Sequence, residues 1–145
     1  MSLFSAISVS SSGMSAQRTR AEVLVENLAN AETTRTAEGG PYRRKDVVFQ
    51  STPVGSPFAS VLEQQMDGEL TGVGIGDVVV DSRPPDMRYM PGHPDANAQG
   101  YVAYPHVNPA EDMVDLMGAA RNYEANVAAV SAVKDMIQRS LDLFH

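Results

Sequence analysis

"PAEDMVDLMGAARNYEANVAAVSAVKDMIQRSLDLF", residues 109–144, carries the strongest periodic signal in the 145-residue chain. Met113, Leu116, Ala120, Tyr123, Val127, Val130, Lys134, Ile137, Leu141 and Phe144 follow alternating spacings of three and four, with Lys134 as the one charged member. A seven-residue repeat held over this length is the pattern of a coiled-coil seam. The start is also written: Asn108 can cap, Pro109 suits the first helical turn, and Glu111 stands three past the cap. The spacing predicts a helix over about 109–143, roughly 50 Å long at 1.5 Å per residue, too long to bury inside one compact domain.

The N-terminal end shows the same alternation more weakly, through Leu3, Ile7, Ser10, Met14, Gln17, Ala21, Leu24, Leu28 and Ala31. Ser10 and Gln17 interrupt it, and five serines fall between Ser8 and Ser15, so this helix needs a partner to be stable. The partner at hand is the C-terminal helix. Between the two ends the composition changes: 18 of the 20 Gly and Pro residues lie from Gly39 to Pro109. Those residues punctuate regular structure, so the middle reads as short strands and turns. Candidate strands are Val47–Phe49, Val78–Val80 and Tyr101–Val107, with a short helix or disorder at 59–70.

The sequence therefore predicts an α+β fold in three segments. Residues 1–36 form an N-terminal helix, 37–107 a small β-rich middle, and 108–145 a C-terminal helix paired with the first as a coiled coil. Arg43-Arg44-Lys45 reads as the solvated start of a strand. "VENLANAETT", residues 25–34, places Asn27 and Asn30 one turn apart near a helix end. Asparagine is a poor helix-interior residue because its amide competes for nearby backbone groups. Asn27 is expected to bond across to adjacent helices, whereas termination of the helix serves Asn30 almost as well. Tyr123 is expected to pack in the seam, and Lys134 to fix its register or mark where it opens onto another subunit.

Composition narrows the function. A net charge of −7 argues against nucleic acid as a partner, since phosphate binding needs a basic surface. The longest apolar run, Val127–Val133, is interrupted by Ser131 and falls short of the roughly 20 residues of a membrane span, so no direct membrane insertion is expected. The first residues lack the basic and apolar regions of a secretory signal peptide. With no cysteine, the chain holds no disulfide or thiolate metal site.

No catalytic or cofactor pattern emerges. Gly72-Val-Gly74-Ile-Gly76 has Asp77 where a dinucleotide loop needs its third glycine, and a valine run where it needs a helix. His93, Asp95 and His106 are three residues of metal-ligating type, but both histidines sit beside prolines in turn-like sequence. Surface turns account for them better than a metal centre, and no metal site or cofactor is assigned. Two other classes stay open: a cytosolic coiled-coil adaptor, and a small metallohydrolase using His93 and His106.

"SGMSAQRTRAEVLVENLANAETT", Ser12–Thr34, resembles the N-terminal signature of flagellar rod, hook and filament-axis proteins, with Asn27-Leu28-Ala29-Asn30 matching its core. Tyr89–Val130 is similar to the proximal rod members of that family, through Pro91-Gly92-His93-Pro94, Gly100-Tyr101-Val102 and Asn122-Tyr123-Glu124-Ala125-Asn126. The resemblance implies a non-catalytic subunit that assembles helically with other rod proteins and copies of itself. It implies passage, unfolded, through the flagellar type III export apparatus, without a cleaved signal peptide, into the rod crossing the periplasm. It also implies terminal helices forming an inner coiled-coil layer and a middle facing outward. The expected assembly interface is Leu24, Asn27, Leu28, Asn30, Tyr123, Asn126, Val127, Val130, Lys134, Ile137 and Leu141.

Overall fold

The structure, a computed structural model, describes residues 3–53 and 71–142. Its elements in chain order are helix α1 (Leu3–Ala29), strands β1 (Lys45–Pro53), β2 (Thr71–Val80), β3 (Asp86–Tyr89) and β4 (Tyr101–Tyr104), and helix α2 (Pro109–Asp142). The short helix or disorder expected at 59–70 falls outside the described residues, as does Phe144 of the expected seam.

The two helices run antiparallel, with Gly13 of α1 against Asn126 of α2 and Arg20 near Asp115. Gly13 is needed there because a Cβ would stand 3.1 Å from Asn126 Nδ2, tighter than an ordinary contact. α2 begins as expected: Asn108 Oδ1 accepts from Ala110 N at 3.2 Å, and Glu111 and Asp112 place acidic groups in the first turn, where the helix dipole favours them.

Of the nine expected seam positions of α2 within the described residues, three are covered and six are exposed. The residues of α2 that are buried or partly covered are Asp112, Asp115, Leu116, Gly118, Ala119, Asn126, Val130, Val133 and Ile137. Leu116, Val130 and Ile137 hold as expected, but Met113, Ala120, Tyr123, Val127, Lys134 and Leu141 are exposed; Asp112, Ala119, Asn126 and Val133, each one residue before one of them, take the covered phase. Lys134 therefore does not sit in the intramolecular seam; Val133 does. Asn126 takes its position because α1 presents Gly13 there, and helices with small facing residues approach more closely than Met and Val permit. Tyr123 stays 41% exposed rather than packed in a core.

The middle forms two antiparallel pairs, β1–β2 and β3–β4. β2 starts earlier than the valine run, taking in the glycines: Phe49 pairs with Ile75 and Val48 with Asp77, so Gly76 is an extra, bulged residue. Glycine suits this site because a Cβ at Gly76 would meet Gln50 Oε1 at 2.9 Å and one at Gly74 would meet Thr52 Cγ2 at 2.7 Å. β3 was not expected, and β4 stops at Tyr104 rather than reaching Val107. Pro105 follows and cannot donate to the ladder. The β1–β2 hairpin packs along α1, where Ser12 Oγ accepts from Val73 N at 3.0 Å.

Candidate functional site

Among the described residues, the buried polar side chains, Asn27 and Asp112, lie on α1 and α2 on either side of the start of β1. Asn27 is fully buried, and its amide is used three times within the subunit. Nδ2 donates to Lys45 O at 2.8 Å, while Oδ1 accepts from Lys45 N and from the Tyr42 hydroxyl, both at 2.9 Å. The amide thus reproduces one rung of a β-ladder on the side of a helix and pins the first residue of β1. The expectation that Asn27 bonds to adjacent helices is corrected: both acceptor sites of its oxygen are occupied inside the chain. Asn30 serves termination, with Nδ2 donating to Glu26 O at 2.9 Å and Oδ1 accepting from Thr33 Oγ1 at 3.2 Å.

A second link crosses from the residue just before β1 to α2. Arg44 donates to Asp112 Oδ1 through Nη2 at 2.7 Å and Nε at 3.2 Å, and also pairs with Asp46. Asp112 is 1% exposed, and its Oδ2 is buried with no hydrogen-bond partner among the described residues. Lys45 Nζ reaches Glu26 Oε1 at 2.6 Å, so each of the last two residues of the basic run holds a carboxylate on a different helix. Only Arg43 behaves as the solvated residue expected of the whole run.

The electrostatics follow from burial. Loss of solvent pushes the Tyr42 hydroxyl up to about 12, aided by the negative charges of Glu26 and Asp112. The hydrogen bond to Asp112 holds the Arg44 guanidinium above its usual range, against the opposing effect of burial. Downstream, the Arg83 side chain and backbone N–H hold the Asp81 carboxyl down to about 2.

The Pro91–His93 turn is tied to the end of α1. Asp95 accepts from Thr34 Oγ1 at 2.8 Å and pairs with Arg35 at 2.6 Å. His93 Nδ1 accepts from Asp95 N, and His106 lies 3.1 Å from Asp86. Of the three residues weighed as metal ligands, His93 and Asp95 thus share one turn, while His106 pairs with Asp86. Among the described residues, no three His, Cys, Asp or Glu side chains converge on one point.

Of the residues expected at an interface, Leu24 and Asn27 are buried, and Leu28, Asn30, Asn126, Val130 and Ile137 are partly covered. Tyr123, Val127, Lys134 and Leu141 are exposed, on the α2 side that also bears Met113 and Met117. Tyr42, Arg44 and Asp112 were missed. A signal existed for Asp112: it occupies the buried phase one residue before Met113, and a carboxylate placed there demands a cation.

Two family models match the ends of the chain. One, described as "Flagella basal body rod protein", covers residues 7–35, and the other, "Flagellar basal body rod FlgEFG protein C-terminal", covers 98–143. Among curated relatives, the flagellar basal-body rod protein FlgC of Bacillus subtilis is 43% identical, with 99% of each chain aligned. The chain belongs to the FlgC family of flagellar basal-body rod proteins. FlgC of Escherichia coli O6:H1 is 37% identical and that of Salmonella typhimurium 35%, each aligned over 99% of this chain and 98% of its own length. The chain is accordingly a structural component of the flagellar basal-body rod and has no enzymatic role. The two matched segments contain most of α1, the Thr34 and Arg35 contacts, β4 and α2. Neither covers β1 or β2. No helix among the described residues is long and apolar enough to cross a membrane.

Proposed function

We propose that this chain is a proximal rod subunit that packs against other rod proteins and further copies of itself through the faces of its two terminal helices. The observation that carries this is the second apolar stripe of α2. After α1 has covered one side of α2, Met113, Met117, Val127 and Leu141 remain at 41–61% exposure along about 40 Å of helix. A patch of this extent is costly on an isolated soluble subunit and is expected of one that is completed by neighbours. The interface assigned from the sequence divides in this reading. Tyr123, Val127, Lys134 and Leu141 face neighbours, whereas Leu24, Asn27 and Asn30 hold the subunit in shape to be recognised.

Residues 1–36 and 108–145 form the inner helical layer in this proposal, and 37–107 face outward from it. Export through the type III apparatus is supported by the absence of cysteine, which leaves no disulfide to reduce before the chain is threaded. The −7 charge favours neither nucleic acid nor an anionic lipid surface.

Mass spectrometry of flagellar basal bodies purified from the host, washed with detergent and salt, tests the proposal. Enrichment of this chain with other rod proteins is the expected result. Well-formed basal bodies that lack it would overturn the assignment to the rod.

A further inference from the structure

The β3–β4 hairpin presents an unpaired edge. Met90 N donates to Gly100 O at 2.8 Å, and residues 86–89 continue that register against 101–104. Hydrogen-bonded and non-hydrogen-bonded positions alternate in an antiparallel pair, so Asp86 and Arg88 turn their backbone groups toward β4 and Met87 and Tyr89 turn theirs away. Neither Met87 nor Tyr89 finds another backbone partner among the described residues. Their side chains, 53% and 65% exposed, share one face of the hairpin with Tyr101, whose ring meets that of Tyr89 edge-on at 5.3 Å. The opposite face carries buried Val102 and Tyr104, with Arg88 over the Tyr104 ring at 4.5 Å. Arg88 makes no ion pair among the described residues, and Asp86 is engaged by His106.

Resting on the rod reading above, we infer that an extended segment of a different rod protein adds to the β3 edge as a third strand, with Asp or Glu opposite Arg88 and an apolar residue on either side of it. In strand addition the free backbone groups supply the binding and alternate side chains select the segment. Residues opposite Met87 and Tyr89 fall on their exposed apolar face. The residue between them falls on the Arg88 face, at the close spacing of a non-hydrogen-bonded pair, where opposite charges attract. Pro84 and Pro85 before the strand and Pro91 after it confine the edge to the four residues of β3.

The strands of this chain do not meet the requirement. Asp46 follows Lys45, Asp77 follows Gly76, which has no side chain, and β4 has no carboxylate. β3 itself offers Pro85-Asp86-Met87, but Pro85 has no N–H for the Tyr89 carbonyl. A β3–β3 contact is also two-fold and closes on itself, so it cannot repeat along an array. A strand contact this short is weak alone. It suffices where helix packing already holds the neighbour, because the second contact is then made at high effective concentration. β3 lies between the two segments matched by the rod family models, so this surface is separate from the helical ends.

Basal bodies from cells in which p-benzoylphenylalanine replaces Tyr89 are irradiated, and the cross-linked peptide is sequenced by mass spectrometry. The expected peptide comes from another rod protein and holds Asp or Glu between two apolar residues. A peptide from a second copy of this chain, a peptide without that triplet, or no cross-link in basal bodies that contain the chain overturns the strand pairing and leaves the rod reading standing. Absence of the unsubstituted chain from basal bodies sinks the rod reading and the pairing with it. Proline substitution gives a second readout that needs no probe. Met87→Pro removes an outward donor, so it is expected to leave thermal unfolding of the purified chain unchanged and to lower incorporation about fivefold, the loss of one net hydrogen bond. Met87→Ala keeps the donor and incorporates better than Met87→Pro. Arg88→Pro removes a donor to β4 and destabilises the purified chain. Full incorporation of Met87→Pro, or destabilisation by Met87→Pro as large as that by Arg88→Pro, overturns the free edge.

Discussion

Replacing Asn27 with alanine tests whether the helix–hairpin junction holds the subunit together. The substitution removes three hydrogen bonds of 2.8–2.9 Å and leaves Lys45 N–H, Lys45 C=O and the Tyr42 hydroxyl without their partner. An unsatisfied buried group costs about 1–3 kcal/mol. The sum is smaller than three such costs because the Tyr42 hydroxyl can rotate, and alanine returns about 0.5 kcal/mol of helix propensity. A net loss of about 3–5 kcal/mol is expected, a third or more of the stability of an ordinary domain. In thermal unfolding of the purified chain this appears as a drop of about 10 °C or more. Hydrogen exchange localises the effect: the Lys45 amide, held by Asn27 in the native subunit, loses at least about tenfold protection, the equivalent of 1.4 kcal/mol. A loss below about 1 kcal/mol with Lys45 protection unchanged would show that the junction is held by something other than the Asn27 amide. The same experiment separates a subunit role from an interface role, since a residue acting only between subunits would leave the isolated chain unchanged.

Three further outcomes are expected. Arg44→Met strands the buried Asp112 carboxylate and costs about 3–5 kcal/mol in denaturant unfolding, whereas Arg44→Met with Asp112→Leu recovers most of it, because an apolar pair tolerates burial that a lone charge does not. Ultraviolet titration shows a tyrosine ionising near pH 12 that disappears in Tyr42→Phe. Its folded-state value lies above the unfolded one, near 10, so its contribution of about 2–3 kcal/mol is full below pH 10 and is lost as pH rises toward 12. Gly13→Leu forces a side chain into Asn126 and costs about 1–3 kcal/mol by overpacking, and Asn126→Ala in the same chain relieves part of the cost, measured as a double-mutant coupling.

The sequence by itself determined the two helices and their approximate limits. Capping chemistry at Asn108-Pro109 and the near-absence of Gly and Pro in both ends are local properties that need no neighbour to be read. It determined the β-rich middle for the same reason, since turn residues act on their own backbone. The absence of catalytic groupings and the family signature were legible as well.

The tertiary structure decided which face of each helix turns inward. α2 carries two adjacent stripes in three–four alternation, and residue types favour the larger side chains of Met113, Val127 and Leu141. The close approach at Gly13 selects the phase of Asn126 instead, and leaves the larger residues outside. Periodicity cannot register this, because both stripes have the same period and differ by one residue. The role of Asn27 was also a tertiary decision. Its position near a helix end is visible in the chain, but its partners, Tyr42 and Lys45, lie 15 and 18 residues away and arrive only when the connector folds back. Arg44 and Asp112, 68 residues apart, are coupled for the same reason. Two charges that look solvated along the chain become one buried pair, because only the fold sets the distance between them and removes the water that would have screened it.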